Sequence, residues 1–197
     1  MRKIFLILLV GIAIGFLLSW FVSPYSYLPA RQTTLVAGGV SASSAPITAY
    51  FSPSPEPEQA ILHTLQGAQQ SVHIALYQLT DPEIAQELLD TLNRGIELQI
   101  LLDDEPSKGS KGCLLWSKGI AVKQYVDSGI MHHKFAVVDG QKLITGSYNW
   151  TTSAQTRNEE NLLIIESREL SEVFEREFQK LWTSKKAQLL DEKTCSH

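Results

Sequence analysis

Cysteine is scarce in this chain of 197 residues: Cys113 and Cys195 are the only two, and their spacing supplies no zinc-binding set. One lies in a lysine-rich segment and the other in the tail. Pairing is open to them in an exported protein, but spacing alone does not bring them together, so free thiols stand as an equal reading. No internal repeat is visible, which leaves one compact domain with an appendage. A basic excess is also missing. With Arg2, Lys3 and Arg31 set aside, residues 47–197 hold fourteen basic residues against all twenty-one acidic ones, a net charge of −7. That excludes a generally basic nucleic-acid binder. Acid is absent in one place: between Pro106 and Val126 stand Lys108, Lys111, Lys118 and Lys123 with no Asp or Glu. These four are candidate contacts for a polyanion, although a solvated lysine-rich loop is equally ordinary.

Charge is absent again from Ile4 to Val22, nineteen positions broken only by Ser19, Gly11 and Gly15. This is close to the roughly 20 residues that span a bilayer, and longer than the h-region of a cleaved leader. Residues 1–22 are therefore read as a signal anchor in preference to a removed signal peptide. Arg2 and Lys3 keep the N-terminus cytoplasmic and export the rest, which in a bacterium means the periplasmic side of the inner membrane. If the segment is cleaved, the domain is periplasmic or secreted. Gly11 and Gly15 form a G-x-x-x-G pattern suited to helix pairing. Residues 23–46, rich in Ser, Ala, Gly, Thr and Pro, read as a flexible linker, and 47–197 as the catalytic domain.

Within that domain, apolar alternation predicts strands at 47–51, 72–77, 96–102, 120–125, 132–138, 142–145 and 161–165. Helical spacing predicts helices over about 57–68, from Thr80 to Arg94, before Lys118, and from Ser167 past Trp182. Thr80-Asp81-Pro82-Glu83 has the form of a capping box with proline in the first turn. Asp139-Gly140 marks a hairpin. The fold class is α/β, a mixed sheet with helices on both faces.

The chemistry concentrates in Met131–Asn149. His132, Lys134 and Asp139 fit H-x-K-x4-D, and Gly146-Ser147-Tyr148-Asn149 follows. On a strand His132 and Lys134 emerge on one face and His133 on the other, while Ser147 and Asn149 keep the same two-residue spacing. An ammonium, a hydroxyl and a carboxamide suit phosphate oxygens, and an imidazole supplies a nucleophilic nitrogen. Opposed directions for His132 and His133 argue against a shared metal, and no carboxylate or cysteine spacing completes a metal site.

The stretch MHHKFAVVDGQKLITGSYNWTTSAQTRNEENLLII resembles the single-motif branch of the phospholipase D superfamily, which includes small bacterial endonucleases and the mitochondrial Zucchini nucleases. The resemblance runs from about Ile47 to Trp182. It implies the phospholipase D/nuclease fold, His132 as nucleophile, Lys134 and Asn149 on phosphate with Ser147 assisting, and Glu160 orienting the histidine. Asp139 completes the motif, in a turn that suggests a structural role. No cofactor and no metal are implied. One chain has one H-x-K, so the resemblance also implies a homodimer that shares its active site across a two-fold axis. The leading expectation is a membrane-tethered nuclease acting on DNA or RNA with little sequence preference; the alternative is a phospholipase D or cardiolipin hydrolase, because the same chemistry serves both and the anchor puts the domain beside lipid. A non-catalytic adaptor is disfavoured by the intact residue set.

Overall fold

A computed structural model describes residues 45–103 and 109–196. The anchor 1–22, nearly all of the linker 23–46, and Lys108 lie outside the described residues. Among the described residues no helix is long and apolar enough to cross a membrane.

The chain runs β1 (Ile47–Ser52), α1 (Glu56–Gln66), β2 (Ser71–Leu76), α2 (Pro82–Asn93), β3 (Glu97–Leu102), α3 (Gly112–Ser117), β4 (Ala121–Tyr125), β5 (Lys134–Val138), β6 (Lys142–Gly146), α4 (Thr152–Thr156), β7 (Glu160–Glu166), α5 (Arg168–Trp182), β8 (Ala187–Leu189) and α6 (Glu192–Cys195). Eight strands form one sheet in the order β1-β7-β6-β5-β2-β3-β4-β8. β2, β3 and β4 are mutually parallel and every other neighbour pair is antiparallel. The expected mixed α/β sheet is therefore present, and the β2-α2-β3 crossover gives the parallel pair that its order of elements predicts.

Alternation along β2 and β5 feeds two cores. Val72, Ile74, Leu76, Ala136 and Val138 pack with Ile61 and Leu65 of α1 and Ile84 and Leu88 of α2. Their neighbours Ala75, Phe135 and Val137 point the other way, against Phe178 with Phe174 and Leu181 of α5. Helices thus cover both faces. At α2 the cap falls one residue later than expected: Asp81, not Thr80, accepts from the amides of Glu83 and Ile84. α5 opens as read, with Ser167 Oγ accepting from the Leu170 amide.

Cys113 on α3 and Cys195 on α6 are joined in a disulfide, which settles the pairing that spacing left open. The bond pins the tail, including the three-residue β8, to the β4 edge of the sheet. β8 and α6 are too short to carry a periodic signal, and α4 is only five residues long, which is why none of them was read from the pattern.

Candidate active site

The carboxyl ends of β2 and β3, the start of β5 and the end of β6 meet at one end of the central strands of the sheet, because β5 runs antiparallel to β2 with Leu76 opposite Lys134. Regular pairing of β5 begins at Lys134, two residues later than the expected 132–138 strand. His132 and His133 therefore lie just beyond the ladder. Three hydrogen bonds hold this short stretch: the Met131 amide donates to Asp103 Oδ2 (2.8 Å), Lys134 Nζ donates to the His132 carbonyl (2.9 Å), and the Tyr77 amide donates to the His133 carbonyl (2.8 Å).

The two histidines diverge as expected. The His132 ring is exposed and leans on Tyr77, with ring centroids 4.6 Å apart. His133 turns to the other face, edge-on to Phe135, where desolvation holds its pKa below the ordinary value against the opposing pull of Glu177. Lys134 is buried at 8% exposure, with its ammonium 5.0 Å from the Tyr77 ring centre. Burial lowers its pKa, and the negative charge of Glu160 partly offsets this. A cation so poorly hydrated is well disposed to exchange its few contacts for phosphate oxygens.

The second half of the motif is built around a backbone carbonyl. Asn161 O, on β7, accepts from the amides of Ser147 (3.0 Å) and Tyr148 (3.2 Å), folding the end of β6 over β7. Gly146 makes this approach possible: its φ is +146°, and a Cβ there would lie 2.2 Å from that same oxygen. Ser147 Oγ donates to Glu160 Oε2, and Asn158 Nδ2 donates to Glu160 Oε1 (3.1 Å). Asn149 Oδ1 is buried without a partner among the described residues. Glu160 is thus committed to Ser147 and Asn158. Among the described residues no hydrogen bond joins Glu160 to His132 within the chain.

Asp139 stands outside this cluster. At the other end of β5, roughly 16 Å along the strand from Lys134, its carboxylate accepts from the amides of Gln69, Gln70 and Ser71. It ties the α1–β2 turn to the hairpin from a left-handed φ of 54°. These contacts fit the structural role that its Asp-Gly turn suggests, and they place its carboxylate away from His132, Lys134 and Asn149 rather than among catalytic groups.

The lysine rail also comes apart. Lys111 is at the site end of α3, its amide bonded to Leu79 O, whereas Lys118 closes the opposite end of that helix. Lys123 is taken up by α5: its ammonium donates to Trp182 O (2.7 Å) and lies 4.4 Å from the Trp182 ring centre. Of the three lysines among the described residues, Lys111 and Lys118 thus stand at opposite ends of α3 and Lys123 is engaged by α5. Among the described residues no group of three or more His, Cys, Asp or Glu side chains is placed to hold a metal ion.

Two acids that spacing did not reveal lie beneath the motif. Glu58 and Asp81, 6% and 2% exposed, meet where the N-termini of α1 and α2 converge. Gln155 Nε2 donates to Glu58 Oε2, and the buried Tyr148 hydroxyl lies in the same negative field, which together with burial raises the phenol pKa. Burial first, then Asp81 and Glu83, push Glu58 up to about 7. Glu58 keeps its proton in the folded state over a range where the unfolded chain has lost it. Stability should therefore fall as pH rises from about 4.5 to about 7. Glu58→Gln retains the shape and removes the ionisation. Its melting temperature should match wild type near pH 4 and exceed it at pH 8, by up to about 3 kcal/mol in stability terms. Equal pH slopes in the two proteins, measured by calorimetry, would refute this assignment.

With the geometry in place, comparison with known proteins decides the family. The family model for the cardiolipin synthase, PLD-like domain matches residues 61–182. The chain belongs to the phospholipase D superfamily. Within that superfamily it is 38% identical over 124 residues to the mitochondrial cardiolipin hydrolase of Xenopus laevis, covering 62% of this chain and 59% of that protein. The chain thus matches about three-fifths of the length of that relative. It is 30% identical over 194 residues to a phospholipase D of Rickettsia felis, covering 90% of this chain and 95% of the relative. Among solved structures, the phospholipase D family member Nuc from Salmonella typhimurium superposes with a TM-score of 0.64 at 25% identity, covering 75% of this chain and 99% of Nuc. NucT from Helicobacter pylori superposes with a TM-score of 0.67 at 23% identity, covering 75% and 100%, and shares the fold.

Proposed function

We propose that the chain is a phosphodiesterase that works through a phosphohistidine on His132, and that its substrate is DNA or RNA. The observation that carries the chemistry is a poorly hydrated ammonium, Lys134, bonded to the backbone of an exposed imidazole, His132, at the end of the central strands where the chain leaving β6 carries Ser147 and Asn149. A ring nitrogen of His132 attacks phosphorus as the bond to the leaving oxygen breaks, and a second imidazole gives that oxygen its proton. Water then attacks the phosphohistidine, yields a proton to the second imidazole, and displaces the His132 nitrogen. Lys134 and Asn149 stabilise the charge on the non-bridging oxygens throughout, the part a metal ion plays elsewhere.

Because the chain has one such histidine, the second imidazole is assigned to an identical subunit, with the site on the two-fold axis of a homodimer. Residues 1–22 are taken as the membrane anchor, with the domain exported. The Cys113–Cys195 disulfide supports an oxidising compartment.

The nuclease reading is supported by the near-complete coverage of Nuc within this chain. A second reading, cleavage of a membrane phospholipid such as cardiolipin, is favoured by the name and 38% identity of the Xenopus relative. The test offers the full chain single-stranded DNA, RNA, duplex DNA and cardiolipin vesicles side by side, with and without EDTA. The expected result is EDTA-resistant cleavage of nucleic acid by a species with the mass of a dimer. Turnover of cardiolipin with intact nucleic acids would replace the first reading by the second.

A further inference from the structure

His132 lies just before the first residue of β5 and is held from the sheet side through the His133 carbonyl and Lys134, while Glu160 is engaged by Ser147 and Asn158. What anchors the stretch from the N-terminal side is Asp103. This residue continues β3 by one position, its amide donating to Leu76 O (3.1 Å), so its carboxylate emerges at the carboxyl end of the parallel β2–β3 pair. From there Asp103 Oδ2 accepts the Met131 amide at 2.8 Å. Met131 is buried at 4% exposure, so its side chain and its amide are both fixed, and the next residue is His132. The same carboxylate is close enough to the His132 imidazole for the two to interact electrostatically. Tyr77 backs the ring from another side.

We propose that Asp103 is a positioning residue for His132: by accepting the Met131 amide it sets where the imidazole stands relative to Lys134 and the phosphate. This rests on the reading of His132 as the nucleophile. Asp103 acts through the backbone and does not touch the reacting atoms. A misplacement of about 1 Å at a nucleophile costs on the order of 100-fold in rate, and the geometric requirement falls on the attack step far more than on phosphate binding. The essential property is an acceptor oxygen for one N–H, which asparagine also offers.

The experiment compares wild type, Asp103→Ala and Asp103→Asn in the full chain, with bis(p-nitrophenyl) phosphate as probe and with hydrogen exchange at the Met131 amide. Asp103→Ala should lower kcat about 30- to 100-fold with KM within threefold of wild type, and should accelerate Met131 exchange at least tenfold. Asp103→Asn should keep at least a fifth of wild-type kcat and most of the protection. A kcat for Asp103→Ala within twofold of wild type would overturn the proposal, as would equal damage in both variants. If Asp103→Ala does not fold, wild type and Asp103→Asn still decide: an unprotected Met131 amide in wild type, or lost protection in Asp103→Asn, overturns it. Exchange at Met131 is read without turnover. An inactive wild type with a protected amide would therefore sink the phosphodiesterase reading and leave the positioning contact standing.

Discussion

Replacing His132 with alanine should lower kcat by at least about 1,000-fold on any phosphodiester the protein cleaves, because removal of a nucleophile deletes the covalent path and leaves only electrostatic assistance. His133→Ala should keep activity within about fivefold of wild type. The contrast is the informative part, since the residues are adjacent and chemically identical. Both rings are exposed, but His132 leans on Tyr77 at the site, whereas His133 stands edge-on to Phe135 on the other face. His133→Ala removes an aromatic contact and should cost about 1 kcal/mol of stability. Steady-state kinetics with a folded-fraction control checks both. A comparable loss in the two variants would mean that the structure misassigns the faces.

Gly146→Ala should be nearly as damaging, although it adds one methyl group and removes no functional atom. The new Cβ would sit 2.2 Å from Asn161 O, well inside contact distance, at a φ of +146° that alanine does not favour. Either β6 withdraws from β7 or the Asn161 carbonyl moves. Each breaks the paired bonds to the Ser147 and Tyr148 amides. We expect a loss of roughly 3 kcal/mol in stability, the range seen when overpacking meets backbone strain. In the folded fraction kcat should fall about 100-fold, because Ser147 and Asn149 leave their places. Gly140→Ala is the control. Gly140 also has positive φ, +62°, but a Cβ there meets nothing within 4 Å. It should cost about 1 kcal/mol and leave kcat unchanged. Thermal unfolding and kinetics on the same samples separate the two effects.

The alternation of Val72, Ile74 and Leu76 against Ala75, and of Phe135 and Val137 against Ala136 and Val138, announced a sheet covered on both faces, because side-chain direction on a strand follows from period alone. The motif's two-residue spacings were legible for the same reason. What escaped depended on residues far apart in the chain. Asp103 and Met131 are 28 positions apart, Glu58 and Gln155 are 97, and Cys113 and Cys195 are 82. No local pattern encodes such pairs. Within the lysine-rich stretch, the engagement of Lys123 by Trp182 of α5 is likewise invisible to local pattern, since the two residues are 59 positions apart. A partial signal for Asp103 did exist. It is the first polar residue after the apolar run of β3, at the carboxyl end of a parallel strand, where open α/β sheets place their ligand-binding groups.

The proposed mechanism requires that phosphorus be carried on His132 between its two steps. The direct measurement is a rapid-quench single turnover with a phosphodiester substrate, followed by peptide mapping under alkaline conditions, where phosphohistidine survives. A phosphorus adduct that retains one ester group is expected on the peptide containing His132, absent in His132→Ala and present in His133→Ala. Turnover proceeding at the wild-type rate with no covalent adduct at any time point, or with the adduct on a residue other than His132, would contradict it.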